Sequence, residues 1–263
     1  SRGGLKNRMD IKRIEELMIE RKMSIPIYCY DELASTNDFA KGINLHPFGA
    51  SFVLASCQTA GKGRQGKSFH SPTGGIYLTY AFSPKHKSNL PLTISAAVCV
   101  CDAVEKICGI RPEIKWTNDI MLDGKKLCGI LAEAGGDKLV IGVGLNLNTD
   151  HFPDDLKDTA ISLYQYCGRE FDFNEAAVEL MHSLLYLPSA ANIQKRRLAR
   201  SETERALIQY RKDCSTVGKT VDFRLDNVDY TGIAESIGDD GALNVRLPNG
   251  SVIPVRFGAV TVR

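Results

Sequence analysis

Residues Gln58–Ser68 read QTAGKGRQGKS, a run of glycines and cations that follows the apolar segment Ser51–Cys57. Its last eight residues fit GxxxxGK followed by Ser or Thr, the phosphate-binding loop of many ATPases and GTPases. That loop requires a helix beginning at its Lys-Ser, because the helix N-terminus helps to hold the phosphates. Here FHSPTGG follows, and Pro72 and two glycines disfavour a helix. The sequence therefore predicts a loop between two strands instead of an NTPase P-loop.

The loop still concentrates charge, since Lys62, Arg64 and Lys67 lie within six residues. Glycines let a chain approach an anion closely, and successive N–H groups can surround it. A solvated surface turn can have the same composition. Taken alone, the loop leaves an anion site and a surface turn equally open.

On both sides of this loop the sequence alternates between strands and helices. Helical spacing and capping residues predict helices around Ile11–Met18, from Ser35-Thr36-Asn37 to Lys41, over Ile94–Cys108 between Pro91 and Gly109, from an Asn174 cap through Leu187 to the break at Pro188, and over Gln194–Asp213. Apolar and β-branched runs predict strands at Ile25–Tyr30, Ser51–Cys57, Gly75–Phe82, Glu113–Trp116, Ile120–Leu122, Lys126–Ala132 and Leu139–Asn146. Asp123-Gly124 is typical of a type I′ hairpin turn.

The pattern changes after Ser215, where Thr220–Arg263 holds short strands separated by Gly, Asp and Pro turns. This segment predicts a small β-barrel appended to a mixed α/β domain. We expect an N-terminal segment with a short helix at 1–24, a catalytic domain at 25–214 and the barrel at 215–263.

Composition excludes several classes of function. Lys and Arg number 33 against 31 Asp and Glu, so a net charge of +2 gives no general affinity for nucleic acid. The 8 Cys and 5 His form no CxxC or HxxxH pair, which disfavours a structural zinc site and favours free thiols in a reducing cytosol. No apolar run approaches a membrane span. We expect a cytoplasmic protein without nucleic-acid or membrane partners.

Further polar segments interrupt the predicted strands. Lys115–Ile120 reads KWTNDI and contains the only Trp; Lys126–Leu131 reads KLCGIL; and Gly142–Asn146 reads GVGLN. A strand that enters a polar turn would also explain the KWTNDI segment. Two glycines within a strand indicate the close approach of a ligand or of another part of the chain.

In chain order, the motifs are STN, QxxGKGRxGK, KWxND, KLxGIL and GxGxN, and together they resemble the biotin protein ligases from about Tyr28 to the C-terminus. The resemblance implies an α+β fold in which helices flank a mixed sheet, the class II synthetase-like fold of biotin and lipoate ligases, with an SH3-like C-terminal barrel. The resemblance is to monofunctional members, and we expect no DNA-binding domain. About thirty residues precede the first motif, too few for a winged helix-turn-helix.

The resemblance implies that ATP and Mg²⁺ convert biotin to biotinyl-5′-adenylate, and that biotin then passes to one lysine of a biotin carboxyl carrier protein. It implies no tightly bound prosthetic group, and either a monomer or a homodimer. Water must be excluded from the reactive adenylate, which a mobile glycine-rich loop can do. No covalent enzyme nucleophile is required.

Motif matching implies the site residues. Lys126 and Arg64 would be catalytic. Biotin would be bound by Ser35, Thr36, Asn37, Gln58, Lys62, Gly63, Arg64, Lys126, Gly129, Gly142 and Gly144. ATP would be bound by Lys62, Arg64, Phe69, Asn118, Asp119, Lys126 and Asn146, and Asp119 is the candidate ligand for magnesium.

Three residues depart from the family pattern: Lys62 stands where many relatives have Arg, Thr117 replaces the Pro of KWPND and should loosen that turn, and Ala259 replaces a Glu. Two alternatives stay open. One is a lipoate ligase or a lipoyl or octanoyl transferase of related fold, although the GKGR and KWTND segments favour biotin. The other is a biotin-sensing transcriptional repressor.

Overall fold

Two β-sheets organise the chain in the computed structural model, which describes residues 8–84, 91–187, 196–256 and 258–263. The helices are α1 Ile11–Glu20, α2 Thr36–Gly42, α3 Leu92–Cys108, α4 Leu163–Cys167, α5 Phe173–Leu184 and α6 Arg196–Asp213. The larger sheet contains β1 Ile27–Leu33, β2 Ala50–Gln58, β3 Ile76–Phe82, β4 Glu113–Lys115, β5 Asp119–Leu122, β6 Lys125–Gly135 and β7 Lys138–Leu145. The smaller contains β8 Thr220–Leu225, β9 Val228–Ile237, β10 Leu243–Arg246, β11 Val252–Val255 and β12 Val260–Val262.

The larger sheet has the strand order β1-β2-β3-β7-β6-β5-β4. The β1–β2 pair is parallel and the other neighbours are antiparallel, so the sheet is mixed. Every residue of β3 is buried, because α3 and α5 cover one face of the sheet and α2 covers part of the other. The predicted α+β architecture is confirmed.

Three local signals are confirmed by the structure. Ser35 is the N-cap of α2 and accepts a hydrogen bond from Asp38 N at 3.3 Å. Gly109 ends α3 in the left-handed conformation, with φ 80°. Asp123 and Gly124 both have positive φ, as the predicted type I′ turn requires.

The predicted cap of α5 is wrong. Asp172 caps this helix by accepting from Glu175 N at 3.0 Å, and Asn174 lies inside the first turn. The Asn174 side chain instead accepts from Asp10 N at 2.8 Å and donates to Arg8 O at 3.2 Å. Both residues suit a cap, and the tertiary contact with the start of α1 decides between them.

Other boundaries also differ from the predictions. Helix α5 ends at Leu184, before the predicted Leu187, and α4 was not predicted. Helix α6 begins at Arg196, and the predicted boundaries at Pro188 and Gln194 lie outside the described residues.

The C-terminal strands form one antiparallel sheet in the order β11-β10-β9-β8-β12, as expected for an SH3-like barrel. Trp116 joins this barrel to the larger sheet, since its Nε1 donates to Gly241 O and its backbone N to Thr216 Oγ1, both at 3.0 Å. The division of the chain at residue 214 stays a prediction. Among the described helices, none is long and apolar enough to cross a membrane.

Candidate active site

A cleft of about 310 Å³ opens beside the GKGR loop, the name used here for residues 61–68. Residues from α2, β5, β6 and β7 form its walls, and Ala259, Val260 and Thr261 close one side from the barrel. Its described lining contains a single acidic side chain, Asp119, against five cationic ones: Lys62, Arg64, Lys67, Lys115 and Lys126. The cleft is therefore suited to anions, although the chain as a whole is nearly neutral.

The GKGR loop contains no helix beyond one 3₁₀ turn at Arg64–Gly66. Lys62 and Ser68 pair as an antiparallel bridge, and Gly63 N donates to Lys67 O at 2.7 Å. Phe69 N donates to Gly61 O at 2.8 Å, which closes the base of the loop. The P-loop pattern is thus present in sequence without the helix that defines the P-loop.

One end of the cleft is neutral and polar. Gln58, at the end of β2, lies against the first turn of α2. Its Oε1 accepts from Thr36 N at 2.9 Å and from Thr36 Oγ1 at 3.1 Å. Ser35 and Asn37 flank Thr36 and are buried with it. The predicted biotin-binding residues Ser35, Thr36, Asn37 and Gln58 are therefore brought together.

Thr79 and Ser71 complete this end and were missed from the sequence. Thr79 is fully buried, with Oγ1 2.8 Å from Thr36 Oγ1 and 2.7 Å from Asn37 Oδ1. Ser71 Oγ accepts from Gln58 Nε2 at 3.0 Å. Thr79 was hidden because IYLTYAF reads as a uniformly apolar strand. The available signal was alternation, since Thr79 shares a face with Tyr77, which lines the cleft.

The strand glycines lie under protein side chains. A Cβ on Gly142 would fall 2.3 Å from Asn37 Oδ1, and one on Gly144 would fall 2.4 Å from Phe69 Cε1. Gly129 faces the opposite edge of the same ring, at 2.9 Å from Phe69 Cε2. The close approach predicted at Gly142 and Gly144 occurs, and Asn37 and Phe69 make it.

The other end of the cleft is charged. Lys126 Nζ lies 2.7 Å from Asp119 Oδ1 and 5.5 Å from the centre of the Phe69 ring. A second ion pair joins Lys62 of the GKGR loop to Asp38 of α2 at 2.6 Å, next to the neutral end. All four charged side chains of these two pairs are partly exposed. Solvent and an incoming anion can therefore compete for both pairs.

Arg64 reaches across the cleft from the GKGR loop. Its Nη1 donates to Thr117 Oγ1 and to Asn118 Oδ1, both at 2.8 Å, and its Nη2 donates to Gly258 O. Arg64 thereby joins the loop, the KWTND segment and the barrel.

The two asparagines predicted at the nucleotide support other groups. Asn118 accepts from Arg64 and donates from Nδ2 to Ile130 O at 2.6 Å. Asn146 is buried behind the cleft, where Nδ2 donates to Lys126 O at 3.3 Å and to Ile161 O at 3.1 Å. Asn146 therefore fixes the backbone that carries Lys126, and it is not among the residues lining the cleft.

The cysteines near the cleft are poor nucleophiles. Cys128 lies on β6 two residues beyond Lys126, and burial raises its pKa well above the ordinary range. Burial also raises the pKa of Cys57, at the end of β2. Because the thiolate is the reactive form, neither residue is activated for covalent catalysis.

Asp119 is a suitable but solitary ligand for magnesium. Within the described residues, no group of three or more His, Cys, Asp or Glu side chains could hold a metal ion. Magnesium in nucleotide sites is commonly bound by one or two carboxylates together with phosphates and water. A single carboxylate at the cationic end fits an ion that arrives with a nucleotide.

Comparison with known proteins relates this chain to one family. Residues 31–150 match the model of the biotin/lipoate A/B protein ligase family. The bifunctional ligase/repressor BirA of Bacillus spizizenii is 40% identical over 154 residues, which cover 54% of this chain and 47% of that protein. The chain thus spans about half the length of that relative.

Two relatives match over nearly their full length. The biotin–acetyl-CoA-carboxylase ligase of Paracoccus denitrificans is 30% identical over 241 residues, covering 84% of this chain and 94% of that protein. The structure of biotin protein ligase from Aquifex aeolicus in complex with biotin and ATP superposes with a TM-score of 0.78 at 26% identity, covering 90% of this chain and 98% of that one. With the motifs assembled around one cleft and these matches along most of its length, the chain belongs to the biotin protein ligase family.

Proposed function

We propose that the protein activates biotin with ATP, giving biotinyl-5′-adenylate and pyrophosphate, and then transfers biotin to a lysine of a biotin carboxyl carrier domain. The observation that carries this proposal is the composition of the cleft. Ser35, Thr36, Asn37 and Gln58 form a neutral hydrogen-bonding end, and the same cleft is lined by five cationic side chains and one carboxylate. Biotin has the same polarity, a neutral ureido ring at one end and a carboxylate at the other.

The neutral end would recognise the ring. A ureido group offers two N–H donors and one carbonyl acceptor, and it must be met by both kinds of partner once it leaves water. Ser35, Thr36 and Gln58 supply hydroxyl and amide groups at this end. Thr79 and Ser71 hold Thr36 and Gln58 in place, so the partners are arranged before the ring arrives.

The cationic end would support activation. An oxygen of the biotin carboxylate attacks the α-phosphorus, and the bond from that phosphorus to the pyrophosphate oxygen breaks. Two unit negative charges 4 Å apart repel by about 4 kcal/mol at an effective dielectric near 20. Lys126 and Arg64 would offset this repulsion and the charge that grows on the transferring phosphoryl group. Asp119 would hold magnesium, which supplies further positive charge at the phosphates when bound.

The second step needs protection from water. The carrier lysine attacks the acyl carbon of the mixed anhydride, the C–N bond forms, and AMP leaves. The GKGR loop covers the cleft through Arg64 and would keep the anhydride from water until that lysine arrives.

Pyrophosphate exchange into ATP tests the first step. We expect exchange that depends on biotin, little exchange with lipoate, and none without an acid. Exchange with lipoate alone would reassign the protein as a lipoate ligase, and no exchange with either acid would contradict the proposal. Incubation with a purified biotin carboxyl carrier domain then tests transfer, which should label one lysine.

A further inference from the structure

Thr117 meets the GKGR loop at the junction of the two sheets. Its Oγ1 lies 2.8 Å from Arg64 Nη1, and its side chain is only 8% exposed. A guanidinium has no acceptor, so the hydroxyl must accept this bond. Tyr210 OH donates to Thr117 O at 3.0 Å, which anchors the backbone that presents the hydroxyl.

Arg64 has five N–H donors and no acceptor. Of its five N–H groups, Nη1 directs two at Thr117 and Asn118 and Nη2 directs one at Gly258, so in the described part of the chain three meet protein acceptors. Among the described residues no acceptor meets Nε–H or the second Nη2–H, which leaves these two donors for a ligand. The protein acceptors therefore fix the plane of the guanidinium, and the remaining donors suit an anion such as a phosphate oxygen.

We infer that Thr117 is a positioning residue for the reaction: its hydroxyl holds Arg64 so that the GKGR loop stays closed over the acyl-adenylate. The inference rests on the proposed function. Asn118 supplies a second side-chain acceptor, whose position is fixed by its own Nδ2 bond to Ile130 O. Gly258 is a backbone acceptor from the barrel. Thr117 thus provides a side-chain hydroxyl that can be removed without altering charge.

The test is the lifetime of the enzyme-bound adenylate. Enzyme loaded with radiolabelled biotin and ATP is passed through a desalting column, and the release of label is followed together with the labelling of serum albumin lysines. We expect Thr117→Val to release adenylate about tenfold faster, since a hydrogen bond to a charged group is worth roughly 1.5 kcal/mol. Thr117→Ser should restore wild-type release. Thr231→Val is the matched control and should leave release unchanged, since Thr231 is exposed on β9 and does not line the cleft.

A double-mutant cycle separates positioning from a structural role. If Thr117 acts through Arg64, Thr117→Val should add nothing to the faster release of Arg64→Ala. Equal acceleration in both backgrounds, or wild-type release by Thr117→Val, would overturn the inference. Melting temperatures check folding, and Thr117→Ala replaces the Val variant if that variant does not fold. A wild-type enzyme that makes no adenylate would instead contradict the proposed function.

Discussion

The two ends of the cleft are built differently, although they lie within one cavity. At the neutral end, Thr36 and Asn37 are 4% exposed and Thr79 is 0% exposed, and their side chains bond directly to one another. At the cationic end, Lys126 and Asp119 are 35% and 29% exposed and are joined by an ion pair. Removing one member of a buried network leaves an unsatisfied polar group, whereas exposed ion pairs exchange at little cost. The neutral end is therefore fixed in advance, and the cationic end can change partners when ligands bind.

The largest effect should come from the cationic end. We expect Lys126→Ala to lower the rate of adenylate formation by on the order of 10³, because a charge-stabilising donor is lost at the transferring phosphoryl group. Biotin-dependent pyrophosphate exchange measures this rate. Lys125→Ala is the matched control, since Lys125 is the adjacent lysine and does not line the cleft. Exchange retained by Lys126→Ala with an unchanged melting temperature would show that the lysine is misassigned.

A smaller effect should follow when Gly142→Ala adds a methyl group beside Asn37 at the neutral end. The Cβ of Gly142→Ala would fall 2.3 Å from Asn37 Oδ1, which Thr79 contacts. Overpacking of this kind costs typically 1–3 kcal/mol, so we expect KM for biotin to rise by roughly 5- to 150-fold. KM for ATP should change much less, because the charged end lies elsewhere in the cleft. Pyrophosphate-exchange kinetics at varied biotin concentration and at varied ATP concentration give the two KM values separately.

Gly42→Ala controls for the substitution itself. Gly42 ends α2, has no heavy atom within 4 Å of the position that a Cβ would take, and lies outside the cleft. Its kinetics should match the wild type. Equal rises in both KM values for Gly142→Ala would mean that the two ends are not independent.

Thr79 tests whether the neutral end is preorganised. Thr79→Val keeps the shape of the side chain but leaves the oxygens of Thr36 and Asn37 without this partner. We expect KM for biotin to rise about tenfold with kcat nearly unchanged, because an unsatisfied buried group costs about 1–3 kcal/mol. Thr79→Ser should restore the wild-type value. A fall in kcat without a change in KM would place Thr79 in the chemical step.

The sequence predicted some features of the two ends of the cleft and missed others. The helix beginning at Ser35, the hairpin at Asp123 and the motif residues around Lys126 were all readable, because caps, turns and short motifs are local signals. The role of Thr79 could not be read from the sequence, because it depends on a helix that packs against its strand from more than forty positions away. Asn146 matched a motif, and only the fold shows that its amide faces the backbone of Lys126.

Thr117 is a second residue whose contact could not be predicted from the sequence. As a departure from the family motif, it was expected to loosen the turn. That expectation stays a prediction; the structure adds that its hydroxyl accepts from Arg64, a contact between the KWTND segment and a loop 53 positions earlier. Such a contact has no local signature, because it arises only when the segment between β4 and β5 meets the GKGR loop at the cleft. The departure at Ala259 lines the cleft, and nothing in the structure assigns it a further role.

The smallest effect should come from the exposed pair between Lys62 and Asp38. The Lys62 side chain lowers the pKa of Asp38 chiefly by hydrogen bonding to its carboxylate, so this carboxylate stays ionised at neutral pH. The contribution of the pair is present above the ordinary pKa of Asp and is lost only as pH falls through the lowered value. An exposed pair contributes at most about 1 kcal/mol. We therefore expect Asp38→Asn to raise KM for ATP by no more than about fivefold, equally from pH 6 to 8.

Salt should remove even that difference, because the screening length falls to about 3 Å at 1 M. The measurement is exchange kinetics of the wild type and Asp38→Asn at low and high ionic strength. Asp154→Asn, which removes an exposed pair with Lys157 away from the cleft, is the matched control. A defect of Asp38→Asn that persisted in high salt could not come from a screened pair. It would show that Asp38 fixes the GKGR loop as firmly as Thr79 fixes the neutral end, and the contrast between the two ends would then be wrong.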